Sequence, residues 1–152
     1  MGREQYGRLF EGSCGNGICP GFAFRDVADH EATGVNIIEA NRHHIEAALR
    51  HNSGTHAFED IEKAVLSGEM QIWPTPNSCA VTEIAVYAKK KVLHVFLAAG
   101  DLGEIVGGLD VAMAWAKAQG CDSISVAGRK GWERVLSGHG FEPVAVMLER
   151  QI

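Results

Sequence analysis

The sequence predicts one α/β domain, and three observations carry that prediction. Two β-rich runs, Cys79 to Tyr87 and Val92 to Ala98, are joined by Lys89-Lys90-Lys91 and read as an antiparallel hairpin. Asp101 opens the strongest helical pattern of the chain, with Glu104 three residues on as in a capping box. After Gly120 the pattern alternates again: a strand over Ser123 to Ala127, a short helix over Lys130 to Leu136, and a final strand over Val144 to Leu148.

The elements before the hairpin follow from local signals. Val35 to Ile38 is β-branched and reads as a first short strand. Asn41 can cap a helix in which Ile45, Ala48 and Leu49 share a face. Thr55 starts a second helix with Phe58, Ile61 and Val65 inward, ended by Gly68. Met70 to Trp73 is a short strand stopped by Pro74 and Pro76. In the strong helix, Ile105, Leu109, Ala112, Met113 and Ala116 form the buried face, and Gly120 is the residue expected just past its end. The domain therefore spans residues 35–152. Residues 1–34 contain seven glycines and show no sustained period. They read either as an arm that orders against a partner or as a loose leader.

Composition narrows the function. The chain has 152 residues, 46 % hydrophobic and 22 % charged, enough for one domain with a real core. A net charge of -5 with no basic stripe argues against a nucleic-acid binder, which needs clustered cations to displace counterions. No apolar run is long enough to span a bilayer, and charged residues and glycines interrupt any signal-peptide core, so a cytoplasmic location is expected. Cys14, Cys19, Cys79 and Cys121 match neither a disulfide framework nor a paired zinc motif. Cys79 and Cys121 lie in apolar segments, where cysteine packs as a small hydrophobe. His43, His44, His51 and His56 make no closed ligand set, and no metal is expected.

The run Ala114-Trp115-Ala116-Lys117-Ala118-Gln119-Gly120-Cys121 before a strand, with Gly140-Phe141-Glu142-Pro143 after the next helix, resembles the GNAT acyltransferase superfamily. The resemblance covers roughly residues 35–150. It implies a mixed, mostly antiparallel central sheet with helices on both faces, the hairpin's second strand lying parallel to Ser123–Ala127. It also implies acetyl-CoA as cofactor, if the protein is active. In that family the loop before the long helix cradles the coenzyme A pyrophosphate on backbone N–H groups. The corresponding stretch here is Gly100-Asp101-Leu102-Gly103-Glu104-Ile105, in which only Gly103 matches the family pattern. Leu97, Gly103, Glu104 and Ile105 are the candidate cofactor contacts. Asp101 and Glu104 place carboxylates where a dianion should dock, and acids suit a helix N-terminus without any ligand. Where many family enzymes carry an Asn and a proton-donating Tyr, this chain has Arg129 and Leu136.

Glu83, inside an apolar strand, and His94, near it across the hairpin, are candidates for a general base and its partner. A polar outer face or a satisfied pair explains the same residues. Gly128-Arg129-Lys130-Gly131-Trp132 offers Arg129 and Trp132 as interface anchors, with Trp132 in the core and Arg129 at the sheet edge as the alternative. Two functional expectations follow. One is a GNAT-fold protein with a degenerate acetyl-CoA site and a binding or structural role, resembling small GNAT-like phage and prophage proteins, some virion-associated. Residues 1–34 would then reach other virion or prophage proteins, the protein could form a homo-oligomer, and it would be found in the virion if phage-encoded. The other is an active N-acyltransferase moving acetyl from acetyl-CoA to an amine.

Overall fold

A computed structural model of the protein describes residues 35–152. The sequence-predicted arm, residues 1–34, lies outside the described residues. After a helical stretch over residues 35–40, the helices are α1 (Arg42–Leu49), α2 (Phe58–Leu66), α3 (Leu102–Gly107), α4 (Leu109–Ala118) and α5 (Gly131–Leu136), and the strands are β1 (Met70–Pro74), β2 (Ser78–Val86), β3 (Lys91–Gly100) and β4 (Ser123–Val126). The sheet order is β1-β2-β3-β4. The first three strands are antiparallel neighbours, while β4 lies parallel to β3 with Val92 opposite Ser123 and Val95 opposite Val126. The mixed, mostly antiparallel sheet expected from the sequence is thus the one observed.

Side-chain alternation along each strand divides the core into two layers. On one face Ile72, Cys79, Val81 and Leu97 meet Ile38, Ile45, Phe58, Ile61 and Val65. On the other, Leu93 packs with Trp115 and Ala116, flanked by Trp73, Ile84, Ala112, Cys121 and Ile124. Trp73 stands edge-on to Trp115 at 5.5 Å between ring centroids, and its indole N–H donates to Thr82 Oγ1 at 2.9 Å. A bulge between Val81 and Thr82 puts Val81 opposite Leu97 and Thr82 opposite Val95, so that Phe96 is the extra residue.

Several local expectations are corrected. Residues 35–40 are helical, not a strand. Their β-branched residues yield to tertiary packing, because Ile38 and Ile45, seven residues apart, fall on one helical face and are fully buried together. Asn41 does not cap α1 with its side chain, which donates back to Ile37 O at 2.9 Å. The second helix begins at Phe58 rather than Thr55, where the Asp60 carboxylate accepts the Ala57 N–H at 2.8 Å. The long helix is two helices, α3 and α4, with Gly108 in a turn between them. Met113 is exposed, and Trp115 takes its place in the core. Residues 144–148 form no strand; they run without regular structure and expose Val144, Val146, Met147 and Leu148.

Candidate functional site

The β3–α3 junction positions the residues that the sequence marked for a cofactor. β3 runs on to Gly100, whereas its register with β4 ends at Val95 and Val126. The two parallel strands therefore part beside Phe96 to Gly100, and α3 begins where β3 ends. Gly100 has φ +110°. A Cβ there would lie 2.3 Å from Asn77 O and 2.5 Å from Ser78 Cα, so the β1–β2 turn presses directly on this backbone.

The hydrogen bonds at this junction are largely internal. The Asp101 N–H donates to Asn77 O at 3.0 Å, and the Ile105 N–H to Asp101 O at 3.1 Å. Asp101 Oδ1 accepts the Glu104 N–H at 2.9 Å, the N-cap bond expected from the sequence. Glu104, however, does not reach back to Asp101 as in a capping box. Its carboxylate accepts from Thr75 Oγ1, from Asn77 N and Nδ2 at 2.9 Å each, and from Ser78 Oγ at 3.2 Å. Hydrogen bonds from Thr75 and then Asn77 hold its pKa at about 2, far below the ordinary carboxylate value. The Leu102 and Gly103 N–H groups have no acceptor among the described residues.

Glu104 is a clamp between the start of α3 and the turn Thr75-Pro76-Asn77-Ser78. The side chain of Leu97 belongs to the core beside Val81, so only its backbone faces the gap. Gly103 lies close to Asp101: a Cβ there would sit 3.1 Å from Asp101 Oδ1. Ile105 is half-buried in α3.

The register brings the catalytic candidates together. Glu83 lies opposite His94, and His94 opposite Ser125, in one row across β2, β3 and β4. By alternation this row shares the face of Met70 and Ile72, which carries α1 and α2. His94 Nδ1 is 3.0 Å from Ser125 Oγ, and either atom can donate according to the imidazole tautomer. All three residues are half-buried, and the row lies just before the strands part.

Beyond β4, Trp132 is half-buried, and its ring packs on the Gly128 backbone so closely that a Cβ there would lie 2.9 Å from Cδ1. Arg129 is exposed, and Leu136 is buried. Among the described residues no group of three or more His, Cys, Asp or Glu could hold a metal. No helix among them is long and apolar enough to cross a membrane.

Sequence reasoning missed Ser125 and the Thr75, Asn77 and Ser78 partners of Glu104. For the latter a signal existed: three hydrogen-bonding residues around Pro76 mark a turn rich in donors.

The fold is GNAT-like: a four-stranded, mostly antiparallel sheet whose last pair is parallel, with helices on both faces. It is similar to the structure of a tetramutant of the BH1408 protein from Bacillus halodurans, at a TM-score of 0.50 and 14% identity over 84% of this chain and 94% of that one. A predicted acetyltransferase from Clostridium acetobutylicum, solved with acetyl-CoA, aligns at a TM-score of 0.49 and 15% identity, covering 83% of this chain and 92% of that one. No family model matches the sequence, and no curated protein matches it.

Proposed function

We propose that this is a GNAT-fold protein with a degenerate acetyl-CoA site that works by binding other proteins rather than by transferring acyl groups. The observation that carries this reading is the Glu104 carboxylate, held at the start of α3 by Thr75, Asn77 and Ser78. A pyrophosphate docking there meets a fixed negative charge from Glu104 and a second carboxylate at Asp101. It also finds the N–H groups of Asp101, Glu104 and Ile105 already bonded within the chain. Gly100 cannot supply the missing side-chain donor, because the turn occupies that space.

On this reading the partners are virion or prophage proteins, reached through residues 1–34 and through Arg129 and Trp132 beyond β4. Titration calorimetry with acetyl-CoA tests the central point. The expected dissociation constant is about 1 mM or weaker, a binding free energy of only about -4 kcal/mol. Low-micromolar binding rejects the proposal.

The second reading, an active N-acyltransferase using acetyl-CoA, is favoured by the Glu83–His94–Ser125 row at the base of the strand divergence. There His94 or Glu83 would take a proton, directly or through water, from an amine attacking the thioester carbonyl, and the thiolate would leave as coenzyme A. Acetyl-CoA turnover with amines that disappears in His94→Ala would establish it.

A further inference from the structure

Among the described residues, the free edge of β4 and the apolar segment that follows Pro143 are each left without a partner. β4 is the last strand of the sheet, and all four of its residues, Ser123 to Val126, are only half-buried. Such an edge presents unpaired backbone N–H and C=O groups to any extended chain. Eighteen residues beyond Val126 begins a segment patterned as a strand, with Val144, Val146 and Leu148 alternating with Ala145 and Met147. Val144 is 92%, Val146 85%, Met147 86% and Leu148 90% exposed. Scattered exposed hydrophobics are ordinary on a surface, but four within five residues are a contiguous apolar strip.

We propose that residues 144–148 add as a strand to the β4 edge of a second copy of this chain, reciprocally, giving a two-fold symmetric dimer. Three observations select this occupant. The segment makes so little contact with its own fold that its exposure approaches that of a free chain, and no strand among the described residues covers its own β4 edge. One copy thus carries both halves of the contact unused, and a reciprocal pair satisfies both at once. The faces also match. Ile124 belongs to the Trp115–Leu93 layer, so a strand whose Val144, Val146 and Leu148 row faces that side continues an existing apolar layer. Finally the area is of the right order: the four exposed side chains carry on the order of 600 Å² in each copy, so what the apolar row buries, together with the two β4 edges it covers, reaches roughly 1,200 Å², the lower end of specific interfaces. The inference is independent of whether acetyl-CoA binds.

The test is the oligomeric state of the full chain by sedimentation velocity, with hydrogen exchange of residues 144–148. The wild type should be a dimer with those amides protected. Val146→Lys should weaken it roughly a hundredfold or more, because the interface must bury the charge. Val146→Pro should do the same by removing a ladder donor. Val146 is nearly free in the monomer, so both variants should keep the wild-type circular dichroism and melting profile. A wild-type monomer overturns the proposal. If its 144–148 amides are protected, the strand pairs within its own chain. If they become exposed only when residues 1–34 are deleted, that segment is the occupant. A dimer that survives both Val146 variants also overturns it, by placing the interface elsewhere.

Discussion

Replacing Gly100 with alanine tests how tightly the β1–β2 turn closes on the start of α3. The backbone at Gly100 has φ +110°, a conformation that costs an L-residue about 1–3 kcal/mol. The added Cβ would also lie 2.3 Å from Asn77 O and 2.5 Å from Ser78 Cα, both backbone atoms. The turn must retreat to relieve that overlap. Retreat stretches the bond from Asp101 N to Asn77 O and the bonds from Asn77 to Glu104, each worth a net ~0.5–1.5 kcal/mol. Together the expected loss is about 3–5 kcal/mol, a large share of a typical domain's stability. For a chain of this size that lowers the melting temperature by roughly 10–15 °C. Urea unfolding and calorimetric melting of Gly100→Ala measure it. A variant melting within about 2 °C of the wild type would show that the turn yields freely, and the claim that a donor side chain cannot be restored at this position would fall.

Two further outcomes follow from the same structure. The Glu104 pKa is depressed from its ordinary 4.5 to about 2, so its stabilising contribution is fully present above the unfolded value and is lost as the pH falls from 4.5 towards 2. Glu104→Gln should abolish that component of acid sensitivity, and unfolding midpoints that fall equally in both proteins across this window would refute the assignment. Burial pushes the Cys79 thiol up to about 12, leaving a thiolate fraction of roughly 0.01% at pH 8, whereas Cys121 is only half-buried. Iodoacetamide should therefore modify Cys121 in the native protein and reach Cys79 only on unfolding, as peptide mass mapping would show.

The hairpin was legible because its strands alternate on both sides of a charged turn, where Tyr87 N donates to Lys90 O at 2.8 Å. The start of α3 was legible because an N-cap is local: Asp101 needs only Glu104, three residues away. What that glutamate does with its side chain was not. Its partners lie 26 to 29 residues back in sequence, and nothing in the helix pattern encodes the distance between them. The break at Gly108 had a signal in the Gly107-Gly108 pair, which the regular apolar spacing outweighed. Residues 35–40 show the reverse failure: local β propensity pointed to a strand, and burial of Ile38 against a distant sheet decided for a helix. At the candidate site, the pairing of Glu83 with His94 came from counting through the hairpin. Ser125 joins them through a parallel crossover that counting along one hairpin cannot reach.

The unequal loading of the two sheet faces has a consequence for how the molecule opens. Among the described residues, ten buried residues anchor the face covered by α1 and α2, and three anchor the face covered by α4. The strands on the heavier face are sequence neighbours, so that layer assembles from short loops. β4 is held to β3 by four register pairs 31 residues apart in sequence. Closing that longer loop costs more entropy, and fewer apolar contacts offset it. In a single copy, the segment from β4 through α5 should therefore act as a separate cooperative unit that detaches at lower free energy than the β1–β3 meander. Amides of Ile124 to Val126 should exchange well before those of Val81 and Leu97. The divide between fast and slow exchange then falls along the line where β3 and β4 part, so the gap beside Phe96 to Gly100 is bounded by one rigid wall and one that breathes.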